Sequence, residues 1–173
     1  KIVKSHRTPF YLYSQNEIIN NYKNLNDNLS AEIFYSVKAN SNQAILKLLN
    51  NCGSGADVVS RGELHRSIQA GFNPKKIIFE GVGKSKDDIE YAIQQNIRLI
   101  NVESTHELEL INSIGNKENK KIDIGIRLNP DIKAGASKKI STGNKTDKFG
   151  IGIEKLESLI SQIQASNNIN LKG

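Results

Sequence analysis

Polar side chains that could take part in chemistry lie at the ends of successive apolar runs. Lys38 directly follows one run, and Asp57, Glu80, Glu103 and Arg127 lie within or just after the next four. A lysine shielded from water at the mouth of a protein cavity can attack an aldehyde and form a Schiff base. A lysine at the end of a strand is more commonly a solvated surface residue, and the residue types alone leave both interpretations open.

The apolar runs are spaced as strands of a repeated βα unit. They are short, β-branched and almost continuously apolar, as in parallel strands buried on both faces. The runs begin near Ile33, Ala56, Ile77, Leu99 and Ile122. The segments between them carry apolar residues at helical spacing. Ser85 and Ser104 are typical helix N-caps, and Gly71 and Gly115 are predicted to end two helices.

Repeated βα units form either an open doubly wound sheet or a closed barrel. Polar residues at nearly every strand end favour the barrel, in which chemistry collects at the carboxyl ends of many strands. Phe10–Tyr13 is predicted to be an additional strand, and 169–171 to begin a sixth strand of the repeat. We therefore predict an α/β fold, a partial (β/α)₈ TIM-type barrel of five to six βα units. Residues 1–13 would lead into it, and residues 14–173 would form an incomplete barrel domain that belongs to a larger protein, since a full barrel takes about 250 residues.

The composition disfavours several classes of binding partner. The net charge is +6, but the 24 basic residues are scattered and only 6% of residues are aromatic, which disfavours nucleic-acid binding. No apolar run reaches the length of a membrane span, and the single cysteine, Cys52, favours a reducing, cytoplasmic compartment. The three histidines have no partner at metal-ligand spacing, so no metal site is predicted.

The segment Gly81-Val-Gly-Lys-Ser85 has the ending of a phosphate-binding P-loop. The complete pattern requires a glycine five residues before Gly83, and Ile78 stands there. We therefore interpret the segment as a strand-to-helix turn with Ser85 as the N-cap.

Seven collinear segments resemble the barrel-type (fold type III) pyridoxal-phosphate-dependent amino-acid decarboxylases, and most closely those that act on diaminopimelate. The first is Tyr35-Ser-Val-Lys-Ala-Asn40, which is similar to the segment carrying the cofactor lysine. The others are 54–64, 81–85, 101–104, 126–130, 140–143 and 148–151. The resemblance covers nearly the whole chain.

The resemblance implies roles for individual residues. Lys38 would hold pyridoxal 5′-phosphate covalently and be catalytic, with Asp57 and Arg127 also binding the cofactor. The neighbours of the active site or of a loop reaching a dimer partner would be Asn40, Glu63, Ser141, Thr142 and Lys148. From the residues alone, Asp57, Glu63 and Arg127 could equally form a polar network that braces the barrel mouth.

The resemblance also implies an activity. The parent protein would be a cytoplasmic homodimer that converts meso-2,6-diaminopimelate to L-lysine and CO₂. The alternatives are a related ornithine, arginine or carboxynorspermidine decarboxylase, or a non-catalytic pyridoxal-phosphate-binding barrel. Lys133 and Ser137 depart from the family, which usually has an acidic residue and a histidine there. The family's phosphate-binding loop and C-terminal β domain would lie downstream, so residues 1–173 alone are expected to be inactive.

Overall fold

Strands and helices alternate along the chain, and the computed structural model describes residues 2–132 and 149–173. The strands are β1 (Phe34–Ser36), β2 (Gly55–Val58), β3 (Ile77–Phe79), β4 (Leu99–Val102), β5 (Ile122–Ile126), β6 (Leu128–Asn129), β7 (Ile151–Gly152) and β8 (Ile169–Leu171). The α-helices are α1 (Ile2–Ser5), α2 (Gln15–Asn28), α3 (Gln43–Asn51), α4 (Arg61–Gln69), α5 (Lys86–Gln94), α6 (Thr105–Glu118) and α7 (Leu156–Gln164). Short 3₁₀ turns span Val37–Ala39, Pro74–Lys76 and Ile153–Lys155.

The main sheet has six parallel strands in the order β1-β2-β3-β4-β5-β8. The order follows the chain without reversal, whereas a doubly wound sheet reverses at its switch point. The predicted partial barrel is therefore confirmed, with β8 as its sixth strand. Because the strands are parallel and adjacent, their carboxyl ends meet at one edge of the sheet.

The strands and helices bury one large apolar core, and a smaller cluster joins α2 to α3. Fully buried side chains of the large core include Val58, Leu64, Phe79, Ile111 and Leu159, from both strands and helices. Each such side chain contributes about 1.5–3 kcal/mol when it leaves water.

Side-chain caps fix where the helices begin. Ser60, Ser85 and Ser104 follow β2, β3 and β4, and the side chain of each accepts a backbone N–H of the next helix. Asp88 completes a capping box with Ser85. This confirms the predicted N-cap role of Ser85 in place of a P-loop.

Two local predictions were wrong. Phe10–Tyr13 forms no strand, because it finds no neighbouring strand among the described residues, and the side chain of Tyr11 is 90% exposed. Gly115 does not end a helix: α6 continues to Glu118 and is capped by Asn119 in the left-handed conformation. Gly115 is instead a packing glycine, since a Cβ there would lie 3.0 Å from the side chain of Asn168.

A small second sheet joins the chain on either side of residues 133–148. In it β6 pairs with β7 in parallel, and the N–H of Ile151 donates to the carbonyl of Arg127 at 2.8 Å. Gly150 allows this approach, because it has φ +75° and a Cβ would lie 2.9 Å from the carbonyl oxygen of Arg127. The chain after β5 is thereby held beside the residues that precede α7.

Residues 2–132 and 149–173 contain neither a helix that could cross a membrane nor a cluster of metal ligands. The longest helices there, α2 and α6, have 14 residues each, and none is long and apolar enough to cross a bilayer. The same residues contain no group of three or more His, Cys, Asp or Glu side chains that could hold a metal ion.

Candidate active site

An open cavity of about 820 Å³ lies at the carboxyl ends of the strands β1 to β5. It is lined by Lys38, Asp57, Val59, Glu80, Gly81, Val82, Asn101, Ile126, Arg127, Leu128 and Phe149. Three residues selected from the sequence, Lys38, Asp57 and Arg127, therefore share one cavity. A second cavity, of about 350 Å³, lies at the amino ends of β4 and β5, away from these three side chains.

Lys38 lies in the 3₁₀ turn that follows β1 and reaches into the open cavity. The side chain is exposed, and among the described residues its Nζ has no hydrogen-bond or ion-pair partner. The preceding residue, Val37, is fully buried and anchors the turn in the core. The amine is thus presented on a fixed backbone with its donors free for a ligand.

Asp57 lies in β2, directly across from the last residue of β1. The hydroxyl of Ser36 donates to Asp57 Oδ2 at 2.8 Å, which fixes the carboxylate. Asp57 Oδ1 is buried and accepts no hydrogen bond in the described structure. A buried carboxylate oxygen without a donor is costly, and a ligand that brings an N–H or O–H would satisfy it.

Arg127 follows β5 and is fixed by an acidic residue from the end of β4. Its Nη1 donates to Glu103 Oε1 at 3.0 Å, and its guanidinium lies 4.8 Å from the ring centre of Phe149. The side chain of Glu103 is 2% exposed, whereas that of Arg127 is 35% exposed. The arginine is therefore anchored at one end and open to the cavity at the other, where it could bind an anionic group.

Glu80 and Asn101 form a polar pair in the cavity that the sequence analysis did not predict. The Asn101 amide donates to Glu80 Oε1. It lies over Gly125 of β5, where a Cβ would collide with the Asn101 side chain. The sequence analysis selected Glu80 only as a polar residue at a strand end. Gly125 on the neighbouring strand was the signal that could have indicated the position of the Asn101 amide.

Lys84 is the second residue whose role the sequence analysis missed. Its side chain is 1% exposed, and Nζ donates to Glu107 Oε1 at 2.8 Å. It also donates to the carbonyl oxygens of Gly81 at 2.6 Å and Asn101 at 2.8 Å. All three ammonium donors are used, so Lys84 ties the end of β3 to β4 and α6 behind the cavity.

Two residues expected near the active site have local structural contacts. Glu63 Oε2 accepts the backbone N–H of Val59 at 2.9 Å at the start of α4, so this side chain braces the strand-to-helix turn. Asn40 Oδ1 accepts the N–H of Asn42 at 3.0 Å, and the hydroxyl of Tyr35 donates to the Asn40 carbonyl at 3.2 Å. Neither Glu63 nor Asn40 lines the cavity.

Tyr35 itself is partly buried beneath the turn that carries Lys38. Burial raises the pKa of its phenol, although its hydrogen bond to Asn40 acts in the opposite direction. The phenol therefore stays protonated and keeps its donor to the turn at neutral pH.

The remaining predictions concern positions within 133–148, which lie outside the described residues. These are the roles of Ser141, Thr142 and Lys148 and the effects of the Lys133 and Ser137 departures.

Several known proteins are similar to this chain in sequence and in fold. Diaminopimelate decarboxylase of Helicobacter pylori (strain J99) is 46% identical over 162 residues, which cover 92% of this chain and 40% of that protein. The crystal structure of diaminopimelate decarboxylase from Helicobacter pylori complexed with L-lysine superposes with a TM-score of 0.95 and 40% identity, over 98% of this chain and 44% of that one. The diaminopimelate decarboxylase from M. jannaschii in complex with L-lysine gives a TM-score of 0.86 and 34% identity, over 99% of this chain and 42% of that one.

The chain thus spans about two fifths of the length of these relatives. Residues 15–173 match the family described as pyridoxal-dependent decarboxylase, pyridoxal binding domain. The match includes the turn of Lys38 and every described residue that lines the large cavity. The chain therefore belongs to the family of pyridoxal-dependent decarboxylases, as a pyridoxal-binding domain.

Proposed function

We propose that this chain supplies the cofactor lysine of a pyridoxal-phosphate-dependent enzyme that converts meso-2,6-diaminopimelate to L-lysine and CO₂. The observation that carries the proposal is the amine of Lys38, which has no partner within residues 2–132 and 149–173 and lies in a cavity shared with Asp57 and Arg127. An amine, a carboxylate with a free oxygen and a guanidinium form a donor set suited to an aldehyde cofactor that bears ionised groups.

The residues present fit pyridoxal phosphate. Lys38 would hold it through its aldehyde carbon, since its amine is free of protein partners among the described residues. The buried Asp57 Oδ1, which has no donor in the described part of the chain, would accept a hydrogen bond from a donor brought by the ligand. Arg127 would bind an anionic oxygen group with the guanidinium N–H groups not used by Glu103. When bound, the cofactor supplies an electron sink for the bond to the departing carboxylate.

The protein's own part in the reaction is to bind and orient. Ser36 fixes the Asp57 carboxylate by its hydrogen bond, and Val37 fixes the turn that carries Lys38.

Diaminopimelate is proposed as the substrate because the relatives named diaminopimelate decarboxylase are up to 46% identical to this chain. Two of the similar structures contain L-lysine, which would be the product. The proposal includes a cytoplasmic homodimer, which rests on the family resemblance.

The cofactor assignment is tested by reduction with borohydride. The intact gene product is incubated with pyridoxal phosphate, reduced, digested and analysed by mass spectrometry. We expect the pyridoxyl group on the peptide containing Lys38, no label in Lys38→Ala, and unchanged labelling in Lys47→Ala, which removes an exposed lysine of α3. Labelling that persists in Lys38→Ala at the wild-type level would refute the assignment.

The substrate assignment needs a separate assay on the same protein. Release of CO₂ and of the product amine is measured with diaminopimelate, ornithine, arginine and carboxynorspermidine at equal concentration. We expect turnover of diaminopimelate with release of lysine, abolished in Lys38→Ala. Faster turnover of another substrate would replace diaminopimelate, and cofactor binding without any turnover would indicate a non-catalytic carrier.

A further inference from the structure

Glu103 connects two parts of the candidate site that are separated in sequence. One carboxylate oxygen accepts Nη1 of Arg127 at 3.0 Å, and the other accepts the backbone N–H of Gly150 at 3.2 Å. Gly150 follows Phe149, whose ring lies against the guanidinium of Arg127 and lines the cavity. One buried carboxylate therefore fixes both the arginine and the chain that carries its aromatic neighbour.

Glu103 is itself fixed from the opposite side. Its backbone N–H donates to Glu107 Oε2 at 3.1 Å, and the other oxygen of Glu107 is paired with Lys84 at 2.8 Å. Lys84 also holds the carbonyl oxygen of Asn101 in β4. The backbone of Glu103 consequently has little freedom, and its side chain is a fixed point for Arg127.

The exposures of the two partners show which of them faces the ligand. The side chain of Glu103 is almost completely buried, whereas Arg127 is about one-third exposed and lines the cavity. Among the described residues, Glu103 is the only side chain that accepts a hydrogen bond from Arg127. A guanidinium has five N–H donors in a fixed plane, so one bond to Glu103 together with the Phe149 ring sets the direction of the others.

We propose that Glu103 is a positioning residue that orients Arg127 so that its remaining N–H groups receive an anionic oxygen group in the cavity. The inference rests on the proposed function for the identity of that group, which is either the phosphate of the cofactor or a carboxylate of the amino-acid substrate. Both present oxygens that match the planar donors of arginine.

The chain contains a matched control for this arrangement. Arg98 pairs with Glu32 at 2.5 Å and lies 5.3 Å from the ring centre of Phe34. The side chains of this second pair are 40% and 57% exposed, and none of its three residues lines the large cavity. Glu32→Gln therefore makes the same chemical change to an arginine, glutamate and phenylalanine trio without touching the site.

The first measurement needs no cofactor. The intact gene product, Glu103→Gln and Glu32→Gln are treated with an arginine-selective dicarbonyl reagent, and the modification rates of Arg127 and Arg98 are read from peptide masses. We expect Glu103→Gln to raise the rate at Arg127 by about tenfold, because a hydrogen bond between two charged groups contributes a factor of roughly that size. Glu32→Gln should leave the Arg127 rate unchanged and affect only Arg98.

The second measurement distinguishes the two anions. Dissociation constants are compared for pyridoxal phosphate and for pyridoxal, which lacks the phosphate, and kcat and KM are measured with diaminopimelate. If Arg127 binds the phosphate, Glu103→Gln weakens pyridoxal phosphate by about tenfold and leaves pyridoxal unchanged. If Arg127 binds the substrate carboxylate, cofactor affinity is unchanged and KM rises while kcat changes less. Either pattern supports the positioning role.

Glu103→Asp is the control for a folding defect in Glu103→Gln. Aspartate keeps the charge but is one methylene shorter, so it should restore part of the slow Arg127 modification. The proposal is overturned if Arg127 reacts equally fast in Glu103→Gln, Glu103→Asp and Glu32→Gln. Because the modification rates are measured without cofactor, they decide the role of Glu103 even if Lys38 proves not to bind pyridoxal phosphate.

Discussion

Replacing the buried Lys84 by methionine should destabilise the protein strongly. Methionine fills a similar volume but removes the ion pair with Glu107 and the donors to the carbonyl oxygens of Gly81 and Asn101. Breaking a buried ion pair by removing one partner costs about 3–5 kcal/mol, because the other charge stays buried. Glu107 keeps the N–H of Glu103 and lies in the first turn of α6, where the helix dipole favours a negative charge. We therefore expect a loss near the lower end, about 3 kcal/mol.

This loss is measurable by chemical and thermal unfolding of the full chain. For a domain of this size, 1 kcal/mol corresponds to about 2–4 °C in Tm, so Lys84→Met should lower Tm by about 6–12 °C. Lys86→Met is the control: Lys86 is 60% exposed and lies 3.8 Å from Glu90, so its loss should change stability by less than about 0.5 kcal/mol. Adding Glu107→Gln to Lys84→Met removes the orphaned charge and should recover at least about 1 kcal/mol.

The same variants distinguish a structural role of Lys84 from a role in binding phosphate. A lysine that served to bind a phosphate could be lost with little effect on unfolding but with a large loss of anion affinity. If Lys84→Met proves as stable as Lys86→Met, the reasoning about the buried pair is wrong.

Three further predictions concern packing, pH and a helix end. Gly125→Ala should cost about 1–3 kcal/mol in unfolding free energy, because its methyl group displaces the Asn101 amide. Gly62→Ala in α4 should stabilise by up to about 1 kcal/mol, because the nearest atom to the added Cβ is Ser60 Oγ at an ordinary 3.8 Å; equal effects of the two changes would contradict this. Burial, and to a smaller extent the charge of Cys52, raises the pKa of Tyr22 above 10.0. The folded state therefore releases this proton at a higher pH than the unfolded chain does. Stability should therefore fall as pH rises from about 9 to about 11, with a shallower fall in Tyr22→Phe in urea titrations. Asn119→Gly should raise Tm or leave it unchanged, since Asn119 has φ 51° at the end of α6; a clear fall in Tm would show that its side chain stabilises the cap.

Local patterns were sufficient to predict the main sheet and the meeting of Lys38, Asp57 and Arg127 at one of its edges. Each observed strand of the repeat begins within one residue of the predicted start, because a buried parallel strand needs a continuous apolar run. The parallel register then brings Lys38, Asp57 and Arg127 to one edge, which is why residues far apart in sequence share a cavity. The chemical roles of these three residues remain predictions that the labelling and turnover assays test.

Contacts between distant side chains were beyond local patterns. The pair of Lys84 and Glu107 joins residues 23 positions apart, and nothing in the spacing distinguishes that lysine from a solvated one. Phe10–Tyr13 has strand-like composition, but a strand also needs a neighbour, which composition cannot supply. Glu63 was predicted to lie near the active site, and its contact with the Val59 N–H at the start of α4 was the more avoidable omission. A serine followed three residues later by glutamate is a known N-terminal helix signal, and it occurs at both Ser60 and Ser104.

The positioning of Arg127 explains the buried charges behind the cavity better than a contribution to folding stability does. Lys84 and Glu107 neutralise each other, as do Arg127 and Glu103, so the group carries no net charge. Even so, an apolar cluster of the same volume is commonly as stable as a buried ion pair or more so. What an apolar cluster cannot do is hold a guanidinium at a cavity wall in one direction. Among the described residues, Glu103 is the side chain that can do so, because it is anchored through Glu107 on one side and divides its two oxygens between Arg127 and Gly150 on the other.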